Sequence, residues 1–149
     1  MLSTLLRLTL VVALLSLAPA KAFATPNVHH LHGGGTASIS QVAMNVAVDE
    51  SGSASGSFEC LMAGRSAFVL GAFGLAHNMI VHATPTAGSV AGSTVTFSGA
   101  GSLILDGHVK MTVHVDVWVN VATQAFQLTV VDVGTLPVET FKSGGVALN

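Results

Sequence analysis

HVKMTVHVDVWVN (residues 108–120) alternates without a break. Every odd position from Val109 to Val119 is Val or Met. The even positions carry His108, Lys110, Thr112, His114, Asp116, Trp118 and Asn120. A two-residue period sends successive side chains to opposite sides of an extended chain. The stretch is therefore a strand with one apolar and one polar face, and the question is whether its polar face does chemistry or meets water.

The neighbouring sequence supplies partners for this strand. Asp106-Gly107 precedes it, a pair that tolerates the positive φ angles of a type I′ hairpin turn, and joins it to residues 101–105. After it comes Phe126 to Val133. Pairing 121 with 126 sets 119 against 128 and 117 against 130, all of them apolar pairs. Further upstream, Val42, Met44, Val46 and Val48 share one face. Asp49-Glu50-Ser51-Gly52 reads as a turn, and Phe58, Cys60 and Met62 return in phase.

Other segments follow the same grammar. HNMIVHA (77–83) is a strand that stops at TPTAG (84–88). Val95 and Phe97 set an odd phase that becomes apolar on both sides by Leu103-Ile104-Leu105, so a bulge is expected at Gly99-Ala100-Gly101. AGRSAFVLGAFGLA (63–76) has no clean period and reads as a loop with a short buried strand around Ala67 to Leu70. Leu136-Pro137 ends the meander before a last strand or two around Ser143-Gly144-Gly145.

The fold class that follows is all-β: a single antiparallel sandwich or barrel of roughly eight strands, mostly a meander. Closure into a barrel would remove exposed sheet edges without using charge.

The chain starts with the grammar of export. Arg7 gives a positive start, LTLVVALLSLA (8–18) an apolar centre, and Ala22-Phe23-Ala24 a cleavage pattern. Residues 1–24 are expected to be a signal peptide, 25–37 a flexible lead-in with three glycines, and 38–149 the all-β domain. Localisation would then be secreted or periplasmic. After cleavage three cations, Arg65, Lys110 and Lys142, face seven acids, which is no footprint for nucleic acid or anionic lipid. Charged residues are only 8% of the chain, and so poorly charged a surface favours a partner or self-association. Cys60 is the only cysteine; it cannot form an intramolecular disulfide and is expected to be buried and inert. An outer-membrane barrel is disfavoured, since the chain has no Tyr and one Trp where aromatic girdles are needed.

Three groups of residues can carry chemistry. His29, His30 and His32 form an H-H-x-H tract that, if flexible, could wrap Cu²⁺ or Zn²⁺. His114 and Asp116 lie about 6.6 Å apart on one face and could hold a ligand or a cation with help from a neighbouring strand, whereas His108 and His114 are about 20 Å apart and cannot act together. Trp118, on the same face, either caps the core or anchors a contact. His77 and His82, five apart, point to opposite sides of a strand. Glu139 is expected to be solvated or paired with Lys142.

Hydrolase, zinc-protease, redox and P-loop signatures are missing. The reading leans away from an enzyme and towards an exported binding or structural β-domain. A small apolar-ligand carrier or a cyclase/isomerase-like barrel is one alternative, and metal binding through the His29–His32 tract another. No cofactor is expected beyond Cu or Zn at that tract. Partners would be a protein, a cell-envelope component or a small molecule, and no nucleic acid.

The GGG motif, DESGSASGSFEC, TVTFSGAGSL, the long alternating strand and FQLTVVDVGTLPVETFKSGGVAL, behind a signal peptide, resemble small secreted bacterial all-β domains of the post-COAP-1-like kind. The resemblance covers most of residues 33–148 and departs at the glycine-rich 65–76. It implies an all-β fold. Because that group has no established activity, it carries over no site residue.

Overall fold

The computed structural model describes residues 27–63 and 78–149. The leader, the expected strand at 67–70 and His77 lie outside the described residues. Among the described residues ten strands run in order: β1 (Val28–Thr36), β2 (Ser40–Asp49), β3 (Ala54–Met62), β4 (Met79–Ala91), β5 (Thr94–Leu105), β6 (Val109–Asn120), β7 (Ala125–Val130), β8 (Gly134–Thr135), β9 (Glu139–Thr140) and β10 (Ser143–Leu148). They form one antiparallel sheet in the order β10-β1-β2-β3-β4-β5-β6-β7-β8, with β9 also paired to β7. The sheet curls into a half-barrel, so of the two architectures left open by the sequence the sandwich drops out.

The alternating apolar positions explain the curl. Val42, Met44, Val46 and Val48 of β2 are buried, as are Phe58, Cys60 and Met62 of β3 and Val115, Val117 and Val119 of β6. They meet the buried residues of β4, β5 and β7 in one core, where Phe58 and Phe97 stand edge to face at 5.7 Å between ring centres. Burying one face of every strand needs the sheet to fold over on itself, and the right-handed strand twist provides the bend.

Four local expectations are corrected. The first concerns the GGG segment, which is not a flexible lead-in. Residues 28–36 are strand β1, inside the sheet between β10 and β2, and the all-β domain begins there rather than at 38. Gly34 and Gly35 lie opposite Gly145 and Gly144. A Cβ on Gly34 would sit 2.4 Å from the Val42 carbonyl oxygen, and one on Gly144 2.1 Å from that of Gly34. Glycine is used because the backbones approach too closely for any side chain. The two glycine tracts that read as strand breakers are each other's partners.

Secondly, TPTAG does not end β4. The strand passes through it with a register shift between Pro85 and Ala87. Pro85 has no N–H to donate, and a bulge accommodates that loss. The irregularity sits on β4, opposite Gly99, and not within β5. β5 consequently keeps its odd phase to the end, with Val95, Phe97, Leu103 and Leu105 buried.

Thirdly, β6 and β7 pair two residues away from the expected register: Val119 faces Phe126, Val117 faces Leu128 and Val115 faces Val130. A two-residue slip leaves every side chain on its face, so the apolar pattern could not choose between the two. The turn does. Asn120 Oδ1 accepts the Thr123 N–H at 3.0 Å, and Val121 donates its N–H to the Ser93 carbonyl, which takes Val121 out of the strand.

Lastly, Glu139 is neither solvated nor paired with Lys142. It is 1% exposed and accepts the N–H groups of Ile39 (2.8 Å) and Ser40 (3.1 Å) and the Ser40 hydroxyl. A buried carboxylate needs such donors to offset its lost hydration. These bonds tie β9 to the turn between β1 and β2. The Gln124 side chain bridges to β10 beside it: its Nε2 donates to the Val146 carbonyl and its Oε1 accepts the Val146 N–H, both at 2.9 Å. In this way a side-chain amide stands in for a strand where β10 lacks a second neighbour.

Candidate functional site

With Val115, Val117 and Val119 turned inward, the even residues of β6 face outward. His114 and Asp116 are exposed and Trp118 is half-buried. On this outer face Asp116 is flanked by Ser98 of β5 and Thr129 of β7, and Trp118 by Thr96 and Gln127. Together with Ala87 and Gly88 of β4 these residues line an open groove of about 280 Å³. Ala87 and Gly88 of β4 bring no large side chain to it, and the half-buried indole of Trp118 lines it above the buried Phe97. Thr96 shares a hydrogen bond with Ser89, and Thr129 one with Thr135.

Gln127 donates its Nε2 to the Leu136 carbonyl at 2.9 Å. Among the described residues Asp116 has no hydrogen-bonding or ionic partner, and no cation lines the groove. The sequence grouped Asp116 and Trp118 correctly on one face. His114, the third of that group, is on the same face but outside the groove lining.

The histidine tract does not form the expected metal wrap. His30 and His32 point outward from β1, and His29 lies on the side of buried Leu31. A strand separates consecutive side chains to opposite faces, so the three cannot close on one ion. Among the described residues no group of three or more His, Cys, Asp or Glu side chains could hold a metal, and that includes His114 with Asp116.

Sequence reading missed a second outer-face feature. His82 of β4 and Glu59 of β3 stand opposite one another, with Nδ1 and Oε2 3.0 Å apart and both half-exposed. They border a groove of about 510 Å³ with Asn45, Ser57, Thr84 and Ser102. Ser102 is opposite His82 on β5, so a Ser, a His and a Glu share one row. The three lie on adjacent interior strands of the sheet, β3, β4 and β5. The signal that could have found the pair is the polar phase of β3 and β4, but it required their mutual register. Cys60, by contrast, is buried, and burial pushes its thiol pKa up to about 12. Such a thiol is protonated and unreactive.

No family model, curated protein or solved structure matches the chain.

Proposed function

We propose that this chain is an exported binding module that meets its partner with the outer face of its curled sheet, at the groove of Asp116 and Trp118. One observation carries the reading: the inward positions are occupied by apolar side chains packed on one another, while an unpaired carboxylate and an indole are placed together outside. A carrier or isomerase-like barrel would instead need an internal cavity with polar groups to orient its ligand. Among the described residues the buried polar side chains are Ser40 and Glu139, and they bond to each other. The export part of the proposal rests on residues 1–24 alone.

Native mass spectrometry of the protein purified from its own source tests the choice between surface and interior. The expected spectrum shows the mature chain, starting at Thr25, free of small molecules. Its partner complex is expected to be lost in the Trp118→Ala, Asp116→Ala double variant. A small molecule retained in stoichiometric amount by that same variant would overturn the surface reading in favour of the carrier.

A further inference from the structure

We infer that the Asp116–Trp118 groove recognises the guanidinium of an arginine side chain presented by a peptide or protein partner; this rests on the reading of the outer face as the binding surface. Asp116 and Trp118 are two residues apart on one strand face, about 6.6 Å along the chain. That spacing lets one planar cation stack on the indole and reach the carboxylate in its own plane. A guanidinium suits both contacts: it stacks on aromatic faces and forms paired N–H donors to a carboxylate.

The polar part of the lining, Thr96, Ser98, Gln127 and Thr129, carries oxygen atoms that can accept hydrogen bonds. Gln127 keeps its Oε1 free of partners among the described residues while its Nε2 is held by the Leu136 carbonyl. Ser98 and Thr129 flank Asp116 on either side. Five N–H donors find oxygen acceptors on three sides there, which an ammonium with three donors would use less fully and a quaternary ammonium not at all. Charge complementarity points the same way. Lys110, on the same face of β6, is six residues from Asp116, about 20 Å away, and His114, two residues away, lies outside the groove lining, so no lysine or arginine of the strand competes for the carboxylate.

Trp118 is the only tryptophan, so intrinsic fluorescence reports on this groove alone. The experiment titrates the mature protein with N-acetyl-arginine amide, and separately with the citrulline, lysine and choline counterparts, at low and high salt. A single side chain is expected to bind at about millimolar concentration. The expected result is a saturable change in Trp118 emission with the arginine compound. It should weaken at least about tenfold in Asp116→Asn, which keeps the shape and removes the charge. Citrulline, shaped like arginine but neutral, should give no saturable change, and lysine and choline weaker ones.

Equal responses to citrulline and arginine, or an unaltered response in Asp116→Asn, would overturn the proposal. So would choline binding more tightly than arginine, which would assign the groove to a quaternary ammonium. If arginine fails while the Trp118→Ala, Asp116→Ala variant still loses its partner complex in the mass spectrum, the guanidinium assignment falls and the surface reading stands.

Discussion

The Glu139 carboxylate accepts both the N–H and the hydroxyl of Ser40, 99 residues earlier in the chain, at 3.1 Å and at 2.9 to 3.0 Å. This contact joins the start of β2 to the short strand β9. It is the one buried carboxylate among the described residues, and its donors come from a turn whose N–H groups would otherwise be unsatisfied.

Removing that acceptor should loosen the whole half-barrel. Glu139→Ala leaves the buried Ser40 and the half-buried Ile39 N–H groups without their acceptor, and we expect a loss of about 3 kcal/mol in urea unfolding. Ser40→Ala removes one donor and keeps the two backbone bonds, so it should cost about 1 kcal/mol. Equal losses in both variants would mean that the hydroxyl, and not the carboxylate, organises the turn.

The Gln124 bridge should govern the free edge of β10. Gln124→Ala deletes both bonds to Val146, with an expected cost of about 1 to 2 kcal/mol. Hydrogen exchange reads the effect locally: the Val146 amide should lose protection while the Phe58 and Val117 amides, deep in the sheet, keep theirs. Uniform loss of protection would show that the bridge is needed for global stability rather than for the edge.

The paired glycine tracts allow a sharper test. Gly144 has φ +76° and its Cβ would meet the Gly34 carbonyl at 2.1 Å. Gly144→Ala should therefore cost more than about 2 kcal/mol, from backbone strain and the clash together. Gly107→Ala is the control. Its φ is also positive, at +74°, but nothing lies within 4 Å of the added Cβ, so only the conformational part, about 1 kcal/mol, should appear in thermal unfolding.

Two side chains give opposite pH signatures. In the turn between β2 and β3, the Ser51 hydroxyl, with the Ser53 and Ser51 N–H groups, holds the Asp49 carboxyl below its usual 3.8. A lowered folded-state pKa stabilises the fold above the ordinary carboxylate range, and that contribution is lost as pH falls through the folded value. The stability gap between the protein and Asp49→Asn should therefore close in acid. Cys60 behaves in the reverse sense. Its thiol is pushed from 9.0 to about 12, so the unfolded chain ionises first and stability declines as pH climbs from about 9 towards 12. Cys60→Val should lack that alkaline decline. At pH 8 the native thiol should react with a disulfide reagent only at the rate of unfolding.

Much of the architecture was legible because a strand with one buried face must alternate. Val42 to Val48, Phe58 to Met62 and Val115 to Val119 show their faces in the sequence itself, and Asp106-Gly107 announces its turn, with positive φ at both residues. Asp116 and Trp118 were placed on one face by the same rule. Other features were illegible for physical reasons. Gly33-Gly34-Gly35 looks like a break when read alone; only the approach of Gly144 and Gly145 makes it a strand. The β6–β7 register was ambiguous by two residues because both choices bury the same side chains. Glu139 reads as a surface residue until Ile39 and Ser40, 100 and 99 residues away, supply its donors.

Local pattern therefore determined which residues face inward, since that depends only on the two-residue period of the extended chain. Tertiary structure decided what the outward and terminal residues do. Whether Glu139 is a seal, whether His82 meets Glu59, and whether Asp116 and Trp118 share a groove with Gln127 all depend on which strand lies beside which. The period of a single strand holds no information about its neighbours; the closing of the curled sheet supplies it.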